Sequence, residues 1–468
     1  MAVPFALGMI FNTMFNVTDT FFAGRLSTDS LAALSLSFPM YFIIFSPGVG
    51  IQSGAAALIS NALGAGRTKK AVCYQVQAIT LGAIVAVVLS VGMYLVLPFL
   101  YGLFGADGEV LAGGLRYMRV ISIGGFALIG NSILNAGLVA RGDTKAFRNV
   151  LLIMAVINVG LDPLLMFGLE LGGVQVIPRL AEAGTALATI LLQSFGIFYL
   201  IGRGRKHGVY EGAKPSDFIP DRECFREIIG QSAPATLDFV IMTLGAFVIN
   251  FFIARYGRNP IAAYGTALRI EQIALLPLFG IATALATLVG QNNGANRMDR
   301  VKESFSISIR YSVFAAVAIL TPVLLAAPAL LRLFTDTAEV VRIGRTYLYI
   351  QGITYFSYIL MNLSNAMLRG LKKPAMIMWV GLYRQLAAPF LVFPLLAIVF
   401  GMEQNGVFWG LVIVNWSAAV FTYFYSKRKL SEAEEQSGPW ETEPAKPESE
   451  VPVDEGAAVD ADTSGAIP

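Results

Sequence analysis

Apolar residues in this chain come in runs of about 20 to 30, separated by short polar stretches rich in glycine, lysine and arginine. A helix rises 1.5 Å per residue, so about 20 such residues cross the roughly 30 Å hydrocarbon layer of a bilayer. The pattern predicts twelve membrane-spanning helices. They fall near 3–25, 37–63, 76–101, 114–138, 149–168 and 183–202, then 228–255, 261–290, 306–334, 345–367, 376–400 and 406–426. The first apolar stretch runs from Ala2 to Ala23, too long for the core of a cleaved signal peptide, and reads as a spanning helix.

The short loops fix an orientation. Alternate connections carry Arg67, Lys69 and Lys70; Arg141, Lys145 and Arg148; the cluster from Arg203 to Arg226; Arg297, Arg300 and Lys302; and Arg369, Lys372 and Lys373. The other connections are nearly free of lysine and arginine. By the positive-inside rule both termini and the long basic loop 203–227 are expected in the cytoplasm, as for a multi-pass protein of the plasma membrane.

Comparing the chain with itself shows a repeat at an offset of 230 residues. Ser60-Asn61-Ala62-Leu63-Gly64-Ala65-Gly66-Arg67 returns as Gly290-Gln291-Asn292-Asn293-Gly294-Ala295-Asn296-Arg297, and Leu31-Ala32-Ala33 as Ile261-Ala262-Ala263. Farther on the offset drops to 226, so that Asp162-Pro163 faces Ala388-Pro389 and Gly184 faces Gly410. The expected fold is all-α and membrane-embedded: two parallel six-helix halves, 1–202 and 228–429, joined by the linker 203–227 and enclosing a central cavity. Such an architecture suits alternating access.

Composition sharpens the class. The chain has 468 residues, 56% of them apolar and 14% charged, against about 25% charged in average soluble domains. Net charge is +3, but the last 39 residues hold eleven acids and one lysine, so the body carries +13. The tail 430–468 cannot bury enough apolar surface to fold and is expected to be disordered. Two cysteines, Cys73 and Cys224, and one histidine, His207, exclude a disulfide scaffold and any site needing two imidazoles. The thiols are expected on the cytoplasmic side, reduced, and His207 solvated in its basic loop. Arg141-Gly142-Asp143 reads as a turn. No Gly-x-x-x-x-Gly-Lys-Ser/Thr loop occurs, no cofactor is implied, and no nucleic-acid surface is visible.

Ionisable residues inside spanning helices are costly and are functional candidates. Asp19 in the first helix, Asp162 in the fifth and Thr189 in the sixth all fall about six residues, roughly 9 Å, from the outer ends of their helices. Asn16 and Asn158 precede the two acids by three and four residues, on the same helical faces. Two carboxylates, two amides and a hydroxyl are hard oxygen donors, fit to coordinate Na⁺ at Asp19 and Asp162 or to hold a proton on one acid. Pro163 leaves the carbonyl of Val159 free beside Asp162, and Pro4 offers a comparable bend in the first helix. The offsets map Asp19 to Ile249, Asn158 to Arg384, Asp162 to Ala388 and Thr189 to Asn415, so the donor cluster belongs to the first half alone. The second half has its own mid-depth charges, Asp238, Arg269, Glu271 and Arg384. Two readings stand for them: contact with a substrate, or mutual ion pairing.

In Val17-Thr18-Asp19-Thr20, Ala23-Gly24, Asn158-Val159-Gly160-Leu161-Asp162-Pro163, Gly184 with Ala188-Thr189, Ala262-Ala263-Tyr264-Gly265 and Val289 to Asn296, the chain resembles the multidrug and toxic compound extrusion family over residues 3–426. The resemblance implies a monomeric antiporter in the lipid bilayer, not an enzyme, which exports organic cations or amphipathic compounds in exchange for inward Na⁺ or H⁺. It further implies that Asp19, Asn158, Asp162 and Thr189 form the cation site and that Pro4 governs bending of the first helix. Two rival readings fit some of the residues. A lipid-linked precursor flippase of the same superfamily would favour a cationic cavity, for which Arg269 and Arg384 speak. An intramembrane aspartyl enzyme would need a Gly-x-Gly-Asp type motif at Asp19 or Asp162, and neither has one.

Overall fold

A computed structural model describes residues 1–172 and 174–437. Twelve helical segments run back and forth: α1 (Ala2–Leu26), α2 (Thr28–Gly64), α3 (Thr68–Leu103), α4 (Gly108–Ile123 and Gly125–Ala140), α5 (Thr144–Phe167) and α6 (Glu182–Lys206). The second half comprises α7 (Arg222–Ala254), α8 (Arg258–Gly294), α9 (Met298–Leu325, with a short turn Ala327–Arg332), α10 (Ala338–Gly370), α11 (Ala375–Val399) and α12 (Glu403–Ser437).

Each expected segment is a helix because an apolar run in lipid must satisfy its backbone groups internally. Large apolar side chains such as Val87, Val91, Leu95 and Phe99 on α3 and Phe314 on α9 point outward, where a bilayer would cover them. Among the described residues nine helices, and the two pieces of α4 as a tenth, are long and apolar enough to cross a membrane. The remaining two, α1 and α10, have 25 and 33 residues and so the length to cross, but are more polar. Much of this polarity is buried in α10, at Gln351, Thr354, Ser357, Ser364 and Asn365; α1 buries Asp19, while its Thr13, Asn16 and Thr20 are exposed.

Three helices depart from regularity. α4 bends by 48° at Gly124, where a Cβ would collide with Ile190 of α6, so the missing side chain lets the elbow rest on that helix. α11 contains two π-helical turns, Tyr383–Ala387 and Leu395–Val399. Between α5 and α6 lies an antiparallel hairpin, β1 (Leu169–Leu171) with β2 (Val174–Ile177), pairing Glu170 with Gln175.

The chain between the halves is shorter than 203–227, because α6 continues to Lys206 and α7 starts at Arg222. Its middle is pinned to α3 by Gln77, whose amide nitrogen donates to the carbonyls of Asp217 (2.6 Å) and Ile219 (2.7 Å) while its oxygen accepts from the Asp221 N–H (3.0 Å). Arg141-Gly142-Asp143 is a turn, with Gly142 at φ 88° and Asp143 capping α5. His207 is not simply solvated: its Nε2 lies 3.1 Å from Asp143 Oδ2, which also accepts from Arg203 at 2.7 Å. The last helix extends to Ser437, eight residues into the expected tail; residues 438–468 lie outside the described part. All the basic loops sit at one end of the bundle. The Met1 carbonyl accepts from Thr144 there (2.8 Å), and Glu434 near the end of α12 pairs with Lys302 (2.7 Å).

A candidate cation site and a seam between the halves

Away from the basic end, three helices of the first half converge on two carboxylates. Asp19 of α1 is 7% exposed, and Asn158 and Asp162 of α5 are fully buried. Asn158 Nδ2 donates to Asp19 Oδ1 at 2.7 Å, and the Thr189 hydroxyl of α6 approaches Asp19 Oδ2 at 3.4 Å. Asp162 is close enough to Asp19 for the two charges to interact. Neither Asp162 oxygen has a hydrogen-bond partner among the described residues, and Asn158 Oδ1 has none either. Thr185, one turn before Thr189, interacts with Asp162 without completing a hydrogen bond. A buried, unpartnered carboxylate is expensive unless a cation or a proton occupies it. Three free oxygens beside a second carboxylate therefore suit either guest. A Na⁺ ion would be transported cargo here, with Asp19, Asp162 and Asn158 supplying oxygens.

Close backbone approach makes this convergence workable. A Cβ on Gly184, in the first turn of α6, would stand 2.5 Å from the Leu165 carbonyl oxygen of α5, so glycine there lets Thr185 and Thr189 reach the acids. The start of α6 is held in turn by Glu182, whose carboxylate accepts from Ser30 (2.5 Å) and from Arg116 Nε (3.0 Å).

Two sequence-predicted residues do not join the site. Asn16 is exposed and donates to the Asn12 carbonyl of its own helix at 2.8 Å, which turns its amide away from Asp19. Pro4 is the third residue of α1, in the turn whose N–H groups have no intrahelical acceptor in any case, and α1 continues unbroken to Leu26. Pro4 therefore costs α1 no backbone hydrogen bond. Pro163 lies inside α5 as expected. Tyr41 of α2 and Tyr117 of α4, which sequence reasoning missed, lie within electrostatic reach of Asp19, and Tyr117 also of Asp162.

The charges of the second half do not neutralise one another as neighbouring pairs. Arg269 is exposed, while Glu271, two residues on, is buried and accepts from the Tyr347 hydroxyl at 2.7 Å. Residues two apart on a helix face different ways, so these two cannot meet. Asp238 packs against Gly381 of α11, where a Cβ would stand 2.5 Å from its Oδ1. It lies within electrostatic reach of Arg384 and Arg369, though among the described residues no ion pair within 4.0 Å joins them. Arg384 sits in the first π-helical turn of α11 and donates to Asn415 Oδ1 at 3.0 Å. Arg369 was expected in a loop; it is half-buried in the last turn of α10.

At the basic end the two copies of the repeat meet. Asn293 Nδ2 donates to Asn61 Oδ1 (2.5 Å), Asn61 Nδ2 to the Gly370 carbonyl (2.9 Å), and Gln291 Nε2 to the Ala140 carbonyl (2.8 Å). A Cβ on Gly64 would stand 2.7 Å from the Gln291 carbonyl carbon, and one on Gly294 would stand 2.8 Å from that of Asn61. Gly50 packs on Thr236 of α7 just as its repeat partner Gly280 packs on Ala2 of α1. Cys73 and Cys224 face each other in this region with their sulfurs 3.0 Å apart, joining α3 to α7, and the Tyr74 hydroxyl donates to Glu227 beside them. Among the described residues, the hydrogen bonds between the halves all lie at this end. The halves are sealed at the basic end and make no such bond at the opposite one.

The MatE family model matches residues 4–164 and 234–393, one copy in each half. The FAD transporter of Shewanella oneidensis is 26% identical over 434 residues, which covers 92% of this chain and 93% of that protein. The probable multidrug resistance protein YoeA of Bacillus subtilis is 25% identical over 382 residues, 81% of each chain. A solved structure described as the outward-facing conformation of a multidrug resistance MATE family transporter of the MOP superfamily superposes with a TM-score of 0.85 at 23% identity, covering 93% of this chain and 95% of that one.

Proposed function

The chain belongs to the MatE family of membrane transporters, and from that premise we propose that it is a secondary antiporter of the plasma membrane, which exports amphipathic organic compounds in exchange for inward Na⁺ or H⁺. Organic cations are the substrate class expected first, and the basic end, with both chain termini, is the cytoplasmic side. The observation that carries the reading is Asp162, a fully buried carboxylate with neither oxygen partnered, next to Asp19. A coupling cation must prefer one conformation to the other, and its ligands must therefore rearrange during the cycle.

The residues divide the work. Asp19 and Asp162 take the coupling cation, Asn158 orients Asp19, and Thr189 and Thr185 bring α6 to the site. Entry of the cation from outside offsets one of the two negative charges, relieves the repulsion between the acids and lets α1, α5 and α6 close on one another. The seam of Asn61, Gly64, Gln291 and Gly294 holds the cytoplasmic end shut while the cation enters. Asp238 and Glu271 lie in the other half, where a compound between the halves would meet them.

The test is dye efflux from energised vesicles with the Na⁺ and H⁺ gradients imposed or collapsed separately. Efflux is expected to stop when the coupling gradient is collapsed, whatever the ATP supply. ATP-dependent efflux that persists without either gradient would overturn the reading.

A further inference from the structure

The repeat brings four turns together at the basic end. Asn61 Nδ2 donates to the carbonyl of Gly370 (2.9 Å), and Gln291, the repeat partner of Asn61, donates to the carbonyl of Ala140, the repeat partner of Gly370 (2.8 Å). The same hydrogen bond is therefore made twice, once from each half to the other. It sets the turn 65–67 beside 371–373 and the turn 295–297 beside 141–143, and Asn293 Nδ2 joins the two pairs by donating to Asn61 Oδ1 (2.5 Å).

The two pairs of turns differ in charge. In one, Asp143 accepts from Arg203 and lies against His207, Arg141 donates to the Gly137 and Gly208 carbonyls, and Arg297 binds Asp299. In the other, Arg67, Lys372 and Lys373 are exposed, and among the described residues none of them has an acid within 4.0 Å. Glu227 does not supply the missing charge, because Lys70 and the Tyr74 hydroxyl already engage it. Basic residues in cytoplasmic loops follow from the positive-inside rule alone. These three are set apart by standing where the halves touch, Arg67 on the first half and the two lysines on the second. Like charges gathered at a contact repel, and an anion laid across them relieves the repulsion.

The chain itself supplies such an anion. Residues 438–468 hold eight acids and one lysine, and they leave the fold beside the seam. Leu430 is buried in one cluster with Met298, Val301 and Phe305, and Glu434 accepts from Lys302 through both oxygens (2.7 Å), so the end of α12 is held against the first turns of α9. Those turns follow Arg297 directly. A coil of 31 residues spans roughly 30 Å, about three helix diameters, which is ample for reaching both halves. We propose that the acidic segment 438–468 docks on Arg67, Lys372 and Lys373 across the seam. Docking favours the shut state, because the halves present these cations together only while they touch. It needs neither an ion gradient nor a cargo, so it is tested apart from transport.

The full chain in lipid nanodiscs is treated with a zero-length carbodiimide, which joins a lysine amine to a carboxylate in contact with it, and linked peptides are read by mass spectrometry. Lys302 and Glu434 provide the internal standard. Lys372 and Lys373 are expected to link to acids between Glu441 and Asp462. In inside-out vesicles, replacing each of the eight acids by its amide should speed labelling of Cys224 by an impermeant maleimide at least about 3-fold. Arg67→Gln, Lys372→Gln and Lys373→Gln combined should do the same, and the two sets of changes together should go no further than either alone. The gain should vanish in about 1 M salt, where the screening length is about 3 Å. Arg67→Lys, Lys372→Arg and Lys373→Arg combined, which keep the charge and guard against a folding defect, should label as the wild type does. A linked Lys302–Glu434 standard with no link from Lys372 or Lys373 to the acidic segment would overturn the proposal, as would unchanged labelling in both charge-removed variants. Rates that multiply when the two sets are combined, and that follow the anionic lipid content of the vesicles, would assign the three cations to the membrane surface and overturn it as well.

Discussion

Replacing Gly64 or Gly294 by alanine tests whether the basic-end seam is a gate. The new methyl would meet backbone, 2.7 Å from the Gln291 carbonyl carbon in one case and 2.8 Å from that of Asn61 in the other. The carbonyl oxygens of the same two residues lie closer still, well inside the 3.4 Å at which ordinary contact begins, so α2 and α8 must move apart by more than about 0.7 Å, and neither obstacle is a flexible side chain that could step aside. Overpacking of this kind costs about 1–3 kcal/mol. Because the strain exists only while the seam is shut, it appears as a shift toward the state open at the basic end, by roughly 5- to 150-fold. The native thiols report the shift without new cysteines, since Cys224 is 7% exposed when the seam is closed. In inside-out vesicles a membrane-impermeant maleimide should label Cys224 at least about 5-fold faster in Gly64→Ala and in Gly294→Ala than in the wild type. Gly230→Ala is the control, as nothing lies within 4 Å of a Cβ there. Unchanged labelling in both seam variants, with coupled efflux intact, would refute the gate.

Three further outcomes follow from the same geometry. Peroxide is expected to join Cys73 and Cys224, 3.0 Å apart, into a disulfide that clamps α3 to α7; mass tagging of free thiols should lose both tags together, and efflux should fall at least about 10-fold until a reductant is added. Asp143 caps α5 and binds Arg203 and His207, and although burial alone would push its carboxyl up, Arg203, the Ala146 N–H and His207 hold it below the usual carboxylate range. Its contribution is therefore complete above the unfolded value near pH 4 and is lost only at lower pH. Asp143→Ala should lower stability by about 0.5–2 kcal/mol in thermal melts at pH 7, Asp143→Asn by less because the amide can still cap, and the difference between wild type and Asp143→Asn should close as the pH falls through the carboxyl's lowered range. Gly184→Ala should cut coupled efflux severely while expression is kept, because a Cβ 2.5 Å from the Leu165 carbonyl oxygen would push α6, and Thr189 with it, off Asp19; wild-type efflux would contradict this.

All twelve helices were legible because lipid imposes a length on every apolar run, and the repeat was legible because its two copies pack on each other. That packing is why Gly64 with Gly294 and Gly50 with Gly280 recur at one offset. Helix 1 gave Asp19 and helix 5 gave Asn158 and Asp162 through their depth and spacing. Asn16 shows the limit of that logic: sharing a helical face allowed its amide to reach Asp19, but the Asn12 carbonyl was nearer at hand. Thr185 escaped notice because a second hydroxyl one turn from Thr189 carries no signal of its own. Arg369 was placed in a loop because hydropathy ends before it, whereas α10 continues to Gly370. The elbow at Gly124 and the π-helical turns of α11 leave no mark on hydrophobic periodicity, since both depend on what packs alongside.

The central claim is that the first half couples transport to a cation, and the most direct measurement is gradient-driven efflux from proteoliposomes containing Asp19→Asn or Asp162→Asn at matched insertion. Each variant keeps the shape of the site but removes one of the two charges that a Na⁺ ion or proton must meet. The account predicts that both lose gradient-driven export while still binding the exported compound at equilibrium, and that Asp238→Asn changes which compounds are exported without uncoupling the gradient. Wild-type efflux by both first-half variants, with uncoupling by Asp238→Asn instead, would place the cation in the other half and contradict the account.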